Sequence, residues 1–147
     1  MISWTVKKFD ELNVHELYAI LRLRTEVFVV EQNCVFQDMD NKDQYSYHLM
    51  GWEQEQLIAY TRLIPPGVSY AYASIGRVIT SQSARGTGIG KLLMERSIEE
   101  GKRLFGDVPV KIGAQLYLKE FYYSFGFKQS SDVYDEDGID HIEMIRQ

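Results

Sequence analysis

Three glycines within five residues, Gly86, Gly88 and Gly90, separate a strand-like run ending at Ile79 from a stretch of helical period that opens near Gly88. Glycine weakens the interior of a strand or helix, so such a cluster belongs where the backbone turns sharply or lies bare. Arg85-Gly86-Thr87-Gly88-Ile89-Gly90-Lys91 therefore reads as a strand-to-helix turn. Uncovered amides and the partial positive charge of a first helical turn suit a phosphate. Two nucleotide loops are excluded by spacing. A Walker loop would need glycine at Arg85 and a hydroxyl at Leu92, and a dinucleotide loop starting from Gly86 would need glycine at Lys91.

The flanking segments alternate in period. Ile2 to Phe9 reads as a strand. Asn13 and Glu16 have capping-box spacing, and Leu17, Ile20, Leu21, Arg24, Val27 and Phe28 carry a helix over about 13–31. Residues 33–43 are polar and acidic and read as a long loop. Tyr47 to Trp52 and Gln56 to Ile64 suggest a hairpin, stopped by Pro65-Pro66-Gly67, with a third strand from Ala71 to Ile79. A helix follows over about 88–105, then a strand from Val108 to Ala114 and an aromatic helix from Leu116 to Phe125 that Gly126 stops. An acidic turn, Asp135-Glu136-Asp137-Gly138, precedes a last strand from His141 to Ile145, and a further short strand is expected near Phe127. This order predicts an α+β fold, a mixed sheet with helices on its faces.

A length of 147 residues predicts one domain, residues 1–147. Sixteen Lys and Arg against 21 Asp and Glu give a net charge of -5, so no overall positive field exists for nucleic acid. Cys34 stands alone and His15, His48 and His141 show no metal-ligand spacing, which predicts a reducing compartment and no metal. No apolar run reaches membrane-spanning or signal-peptide length, so a cytoplasmic protein with no membrane partner is expected.

The pattern Arg-x-x-Gly-x-Gly, realised by Arg85, Gly88 and Gly90, resembles the coenzyme A pyrophosphate loop of the GNAT superfamily of N-acetyltransferases. Phe121-Tyr122-Tyr123-Ser124-Phe125-Gly126-Phe127 is similar to that family's aromatic-Tyr-x-x-x-Gly-Phe segment. A narrower resemblance, to the ElaA-like branch, is carried by Leu21 to Gln32, by Asp40, Asp43 and His48-Leu49, and by Asp137 to Met144. The resemblance implies the GNAT acyl-CoA N-acyltransferase fold, with acetyl-CoA as cosubstrate in an opening between two splayed strands that end near Ile79 and Ala114. It implies Val78, Ile79 and Thr80 beside the pantetheine and Arg85, Gly86, Thr87, Gly88, Ile89, Gly90 and Lys91 around the pyrophosphate. It makes Tyr122 the general acid. Gln115 stands seven residues before that tyrosine, where the family often carries Asn, and is a further coenzyme contact.

Acetyl transfer to an amine of pKa about 10 needs a base, and a thiol near 8.5 makes a tyrosine near 10 a workable donor. His141 resembles the histidine that some GNAT members present to the substrate at this place, which makes it a candidate base, and Glu31 and Glu26 are rivals by resemblance to members that use a carboxylate; His48 and His15 read as structural or exposed. Arg22, Arg24 and Arg77 sit in or beside apolar segments and must be paired if buried. Pairing with Glu26, Glu31 or Asp40 is one reading. The other is that one of them, Arg77 foremost, grips an acidic group of a small substrate; Arg22, Glu31 and Arg77 are accordingly the candidate substrate contacts. The acidic stretches Asp38 to Asp43 and Asp132 to Asp140 favour a cationic amine instead. The expected activity is acetyl-CoA-dependent N-acetylation of a small-molecule or peptide amine by direct attack in a ternary complex. A catalytically silent coenzyme-binding sensor is the alternative, and a homodimer is left open. Acceptor specificity is expected from the first helix, the acidic loop and the final hairpin.

Overall fold

In the computed structural model, which describes residues 1–147, Asn13 caps the first helix as its spacing suggests. Its side chain accepts from the Glu16 amide at 2.8 Å, and Glu16 returns the bond to the Asn13 amide at 2.9 Å. The helix, α1 (Val14–Arg24), is followed without a break by a π-helical segment, Thr25–Glu31. The expected 13–31 helix is thus one rod with a change of winding. The change begins at Thr25, whose hydroxyl takes the Leu21 carbonyl at 2.9 Å, a side-chain back-bond that bends helices.

The strands are β1 (Ser3–Lys8), β2 (Tyr47–Glu53), β3 (Gln56–Ile64), β4 (Ser74–Thr80), β5 (Val110–Gln115), β6 (Lys128–Gln129), β7 (Tyr134–Glu136) and β8 (Ile139–Arg146), with α2 (Ile89–Phe105) and α3 (Lys119–Tyr123) between them. β1, β2, β3 and β4 form one antiparallel sheet in that order; β5, β8 and β6 form a second, with β7 also on β8. The two meet at one parallel bridge, Ala73 with Val110, where the Lys111 amide donates to the Ala73 carbonyl at 2.9 Å. Beyond it β4 and β5 have no ladder between them, and the sheet forks. The architecture is the expected α+β arrangement.

Burial follows strand alternation. Leu49 packs with Leu93, Met94, Tyr122 and Met144 in the larger core, whereas its neighbour Met50 packs with Ile20, Leu23 and Val27 in the smaller one. The sheet thus carries α1 against one face and α2 with α3 against the other. No helix is long and apolar enough to cross a membrane.

Several boundaries differ from expectation; β5 runs Val110–Gln115 and not Val108 to Ala114, and β8 runs Ile139–Arg146 and not His141 to Ile145. β4 starts at Ser74, not Ala71: the Gly67 amide closes a turn on the Tyr70 carbonyl, and the Tyr70 and Tyr72 rings lie over the Lys111 ammonium instead of joining the ladder. The aromatic helix begins as a 3-10 turn, Leu116–Leu118. The acidic turn before the last strand is only Asp137-Gly138, both with positive φ, so Tyr134, Asp135 and Glu136 form a strand that the sequence reading did not anticipate.

Candidate functional site

The fork opens a cleft of about 410 Å³. Val78, Ile79 and Thr80 of β4 form one wall, and Ile112, Gly113 and Gln115 of β5 the other. Tyr122, His141, Arg77, Arg85 and Glu31 also line it. Nine of the candidate residues are therefore brought together from segments far apart in sequence.

Tyr122 is buried among Phe121 and Phe127, and its hydroxyl makes no hydrogen bond within the protein although it is not sealed from the cleft. Burial, with the neighbouring Tyr117 adding to it, pushes that hydroxyl well above the ordinary tyrosine range, so it stays protonated. His141 lies 7% exposed at the start of β8, its ring stacked on Tyr134. Its Nδ1 is 2.8 Å from the Ile139 carbonyl, which requires the Nδ1–H tautomer in the neutral ring. Nε2 is left as the acceptor and meets only the Glu136 carboxylate, at 3.4 Å.

Gly86 and Gly88 both adopt left-handed backbone, φ +82° and +81°, with open space where a Cβ would stand. Gly88 caps α2 with no side chain, so no side chain covers the first-turn amides of that helix; Arg85 lines the cleft, but none of residues 86–91 does. Of the loop side chains, two are not available. The Thr87 hydroxyl is spent on the Ala84 carbonyl, Ile89 is buried in the core, and Lys91 is exposed. Arg85 donates from both terminal nitrogens to the two carboxylate oxygens of Glu31 and also reaches the Thr80 carbonyl at 3.1 Å. Gln115 exchanges amide bonds of 3.3 Å with Gln32, tying β5 to the π-helical segment.

Arg22 does not line the cleft and is corrected as a substrate contact. Ile20, Leu23 and Val27 face the sheet, and a residue 200° around the helix from Ile20 faces solvent. Glu26 is also exposed and does not line the cleft, and His15 is exposed. His48 is structural, fully buried between the Tyr60 hydroxyl and the Asp43 carbonyl.

Of the three arginines singled out, Arg24 and Arg77 are paired; Asp40 is a partner of Arg77, as one reading of the sequence had it, whereas Glu26 and Glu31 are partners of neither. Arg24, with 0% exposure, bonds Asp38 and Asp43; Arg62 bonds Asp40 and Asp43; Arg77 bonds Asp38 and Asp40. The acidic loop is thereby drawn in as the cleft's inner support, and no group of three or more His, Cys, Asp or Glu is placed for a metal. Arg62, Phe28, Phe36, Tyr134 and Glu136 were not singled out from sequence. Arg62 had a signal, since it is the one charge in the apolar run Gln56 to Ile64.

Over residues 11–147 the chain matches the Acetyltransferase (GNAT) domain family. Protein ElaA of Escherichia coli (strain K12) is 44% identical over 149 residues, covering 100% of this chain and 97% of that protein, and a crystal structure of Escherichia coli ElaA superposes over 100% of both chains with a TM-score of 0.94. The crystal structure of an acyl-CoA N-acyltransferase from Pseudomonas aeruginosa, 46% identical, gives a TM-score of 0.96 over 100% of both chains. An aminoglycoside 6'-N-acetyltransferase crystallised with coenzyme A shares the fold alone, at 16% identity and a TM-score of 0.70 over 97% of this chain and 96% of that one.

Proposed function

This chain belongs to the GNAT acetyltransferase family, and from that premise we propose that it transfers the acetyl group of acetyl-CoA to the primary amine of a small molecule or peptide. The observation that carries the reading is that the Tyr122 hydroxyl, free of hydrogen bonds, and His141 Nε2, an available acceptor, line one cleft at the fork. The residues fit the cosubstrate. Bare amides from Gly86 to Lys91 suit a diphosphate, and the β4 edge at Val78, Ile79 and Thr80, without a strand partner, offers backbone groups to pantetheine amides. A lone cysteine with no disulfide partner suits a reducing compartment, and the reading puts this single domain in the cytoplasm.

Acetyl-CoA supplies the thioester carbon and a thiol leaving group. His141 takes a proton from the acceptor's ammonium at Nε2, and the Glu136 carboxylate at 3.4 Å steadies the imidazolium. The freed amine forms its C–N bond to the acetyl carbon as the C–S bond breaks. Tyr122 gives its hydroxyl proton to the departing sulfur, and the second proton lost by the acceptor nitrogen restores it. The apolar surroundings that keep Tyr122 protonated also disfavour a bare thiolate beside it. His141 is preferred to Glu31 as base because both oxygens of Glu31 are held by Arg85.

A silent coenzyme-binding module would leave the unpartnered Tyr122 hydroxyl without a role. Incubation with acetyl-CoA and a panel of amines, followed by mass spectrometry, separates the two. Transfer predicts one acetylated amine per free thiol, and coenzyme binding with no product from any amine would favour the silent module.

A further inference from the structure

A second chamber of about 330 Å³ adjoins the first along a shared wall that includes Arg77, Phe36, Gly113 and Glu136. His141 and Tyr122 line only the first chamber; Lys42, Arg62, Ser69 and Ser74 line only the second. Arg77 stands between the two in an unusual state. It occupies left-handed backbone, φ +51°, within a bulge of β4, a conformation an arginine adopts only when its surroundings hold it there.

Its side chain is fixed as well. Nε donates to Asp38 Oδ1 at 2.8 Å, Nη2 to the Asp38 carbonyl at 2.8 Å and to Asp40 Oδ2 at 3.3 Å, and the Phe28 and Phe36 rings flank the guanidinium at 5.9 Å each. Nη1 alone has no protein partner and is not sealed from solvent. Arg24 uses all three of its nitrogens within the protein, and the Nε of Arg62 is unpartnered but sealed from solvent, so Arg77 is the buttressed arginine whose spare donor a ligand can reach. Lys42 on the same chamber has no carboxylate within ion-pair distance. The second chamber also holds Asp40, which Arg62 and Arg77 neutralise, and Glu136 and Asp137 stand on the shared wall, where Glu136 meets no cation except His141.

We propose that the second chamber seats a carboxylate of the acceptor, held by Arg77 Nη1 with Lys42 beside it, so that the acceptor is a zwitterion: an amine bearing its own carboxylate. The amine end lies toward Glu136 and His141. A polyamine would set a cation against Arg77 and Lys42, and a plain acid has no nucleophile for transfer. A fixed guanidinium with a free N–H suits a carboxylate, because its orientation is set before the ligand arrives. The proposal names the acceptor class for the transferase reading and rests on that reading.

The test is calorimetric titration of matched pairs, with and without saturating coenzyme A: L-leucine against isoamylamine, L-phenylalanine against phenethylamine, and 4-aminobutyrate against propylamine. The carboxylate-bearing member of at least one pair is expected to bind tenfold or more tightly. Lys42→Gln, a change at a partly exposed side chain, is expected to cut that preference at least threefold with the melting temperature retained. Equal affinity within every pair, tighter binding of the plain amines, or a preference untouched by Lys42→Gln would overturn the proposal. If coenzyme A fails to bind while the preference persists in its absence, the transferase reading falls and the carboxylate seat stands.

Discussion

Arg85 and Glu31 face one another across the mouth of the cleft, both terminal nitrogens of the arginine on both oxygens of the carboxylate. The pair ties the glycine loop to the last residue of the π-helical segment. It also sets a carboxylate beside the place proposed for a diphosphate, where like charge opposes binding.

Glu31→Gln removes that charge and frees one face of Arg85. Coenzyme A affinity is expected to rise roughly threefold to tenfold at low salt, with the gain shrinking as ionic strength screens it. Titration of the variant at two salt concentrations checks this. Weaker binding would mean that Glu31 positions Arg85 for the ligand.

Gly88→Val forces a β-branched residue into φ +81° where no side chain stands in the way. The strain costs about 1–2 kcal/mol of stability, which leaves the protein folded. Coenzyme affinity is expected to fall more than tenfold, because the side chain covers amides at the start of α2. Paired thermal melts and coenzyme titrations read the two effects separately.

Tyr122→Phe deletes a hydroxyl that makes no hydrogen bond within the protein, so the melting temperature should scarcely move. Loss of a general acid lowers kcat by about 100- to 10,000-fold, and coenzyme affinity reports that the site is otherwise intact. An unchanged kcat with plain thiol release would remove Tyr122 from the mechanism.

Acid stability follows from His48, Asp40 and Asp43. Burial holds the His48 pKa below 6.5, against the opposing pull of the Asp43 carbonyl and charge. Its contribution is full above about pH 6.5 and is lost as pH falls toward the folded value. Burial pushes Asp40 and Asp43 up, but Arg62 and Arg24 outweigh it and hold both below the usual carboxylate value of 3.8. Their contribution is present above that value and is lost as pH falls through the folded ones. The melting temperature should therefore decline gently from about pH 6.5 and steeply below about pH 4, and His48→Gln should flatten only the first slope.

Much of this was legible in the chain. The glycine spacing after Arg85 located the strand-to-helix turn, and Asn13 with Glu16 located the first cap, because both depend on local backbone chemistry. Tyr122, His141 and the β4 residues were found through motif resemblance, and the fold brings them into one cleft. Of the arginines' partners only Asp40 was named from sequence, and it does meet Arg77; Asp38 and Asp43 were not. Asp38, Asp40 and Asp43 look like a solvated acidic run, and only the tertiary fold carries that loop under Arg24, Arg62 and Arg77. Arg22 and Arg24 looked alike in sequence, yet they lie two residues apart on a helix and face opposite sides. The strand Tyr134–Glu136 was hidden because its exposed acidic residues read as turn, and with it the carboxylate beside His141.

The most direct test is thiol release from acetyl-CoA, followed continuously as amine concentration is raised, for the wild-type protein and His141→Gln. Saturable release that depends on the amine, matched one for one by N-acetylated product and falling at least a hundredfold in the variant near neutral pH, is the predicted result. Coenzyme binding accompanied by thiol release that no amine accelerates would contradict it.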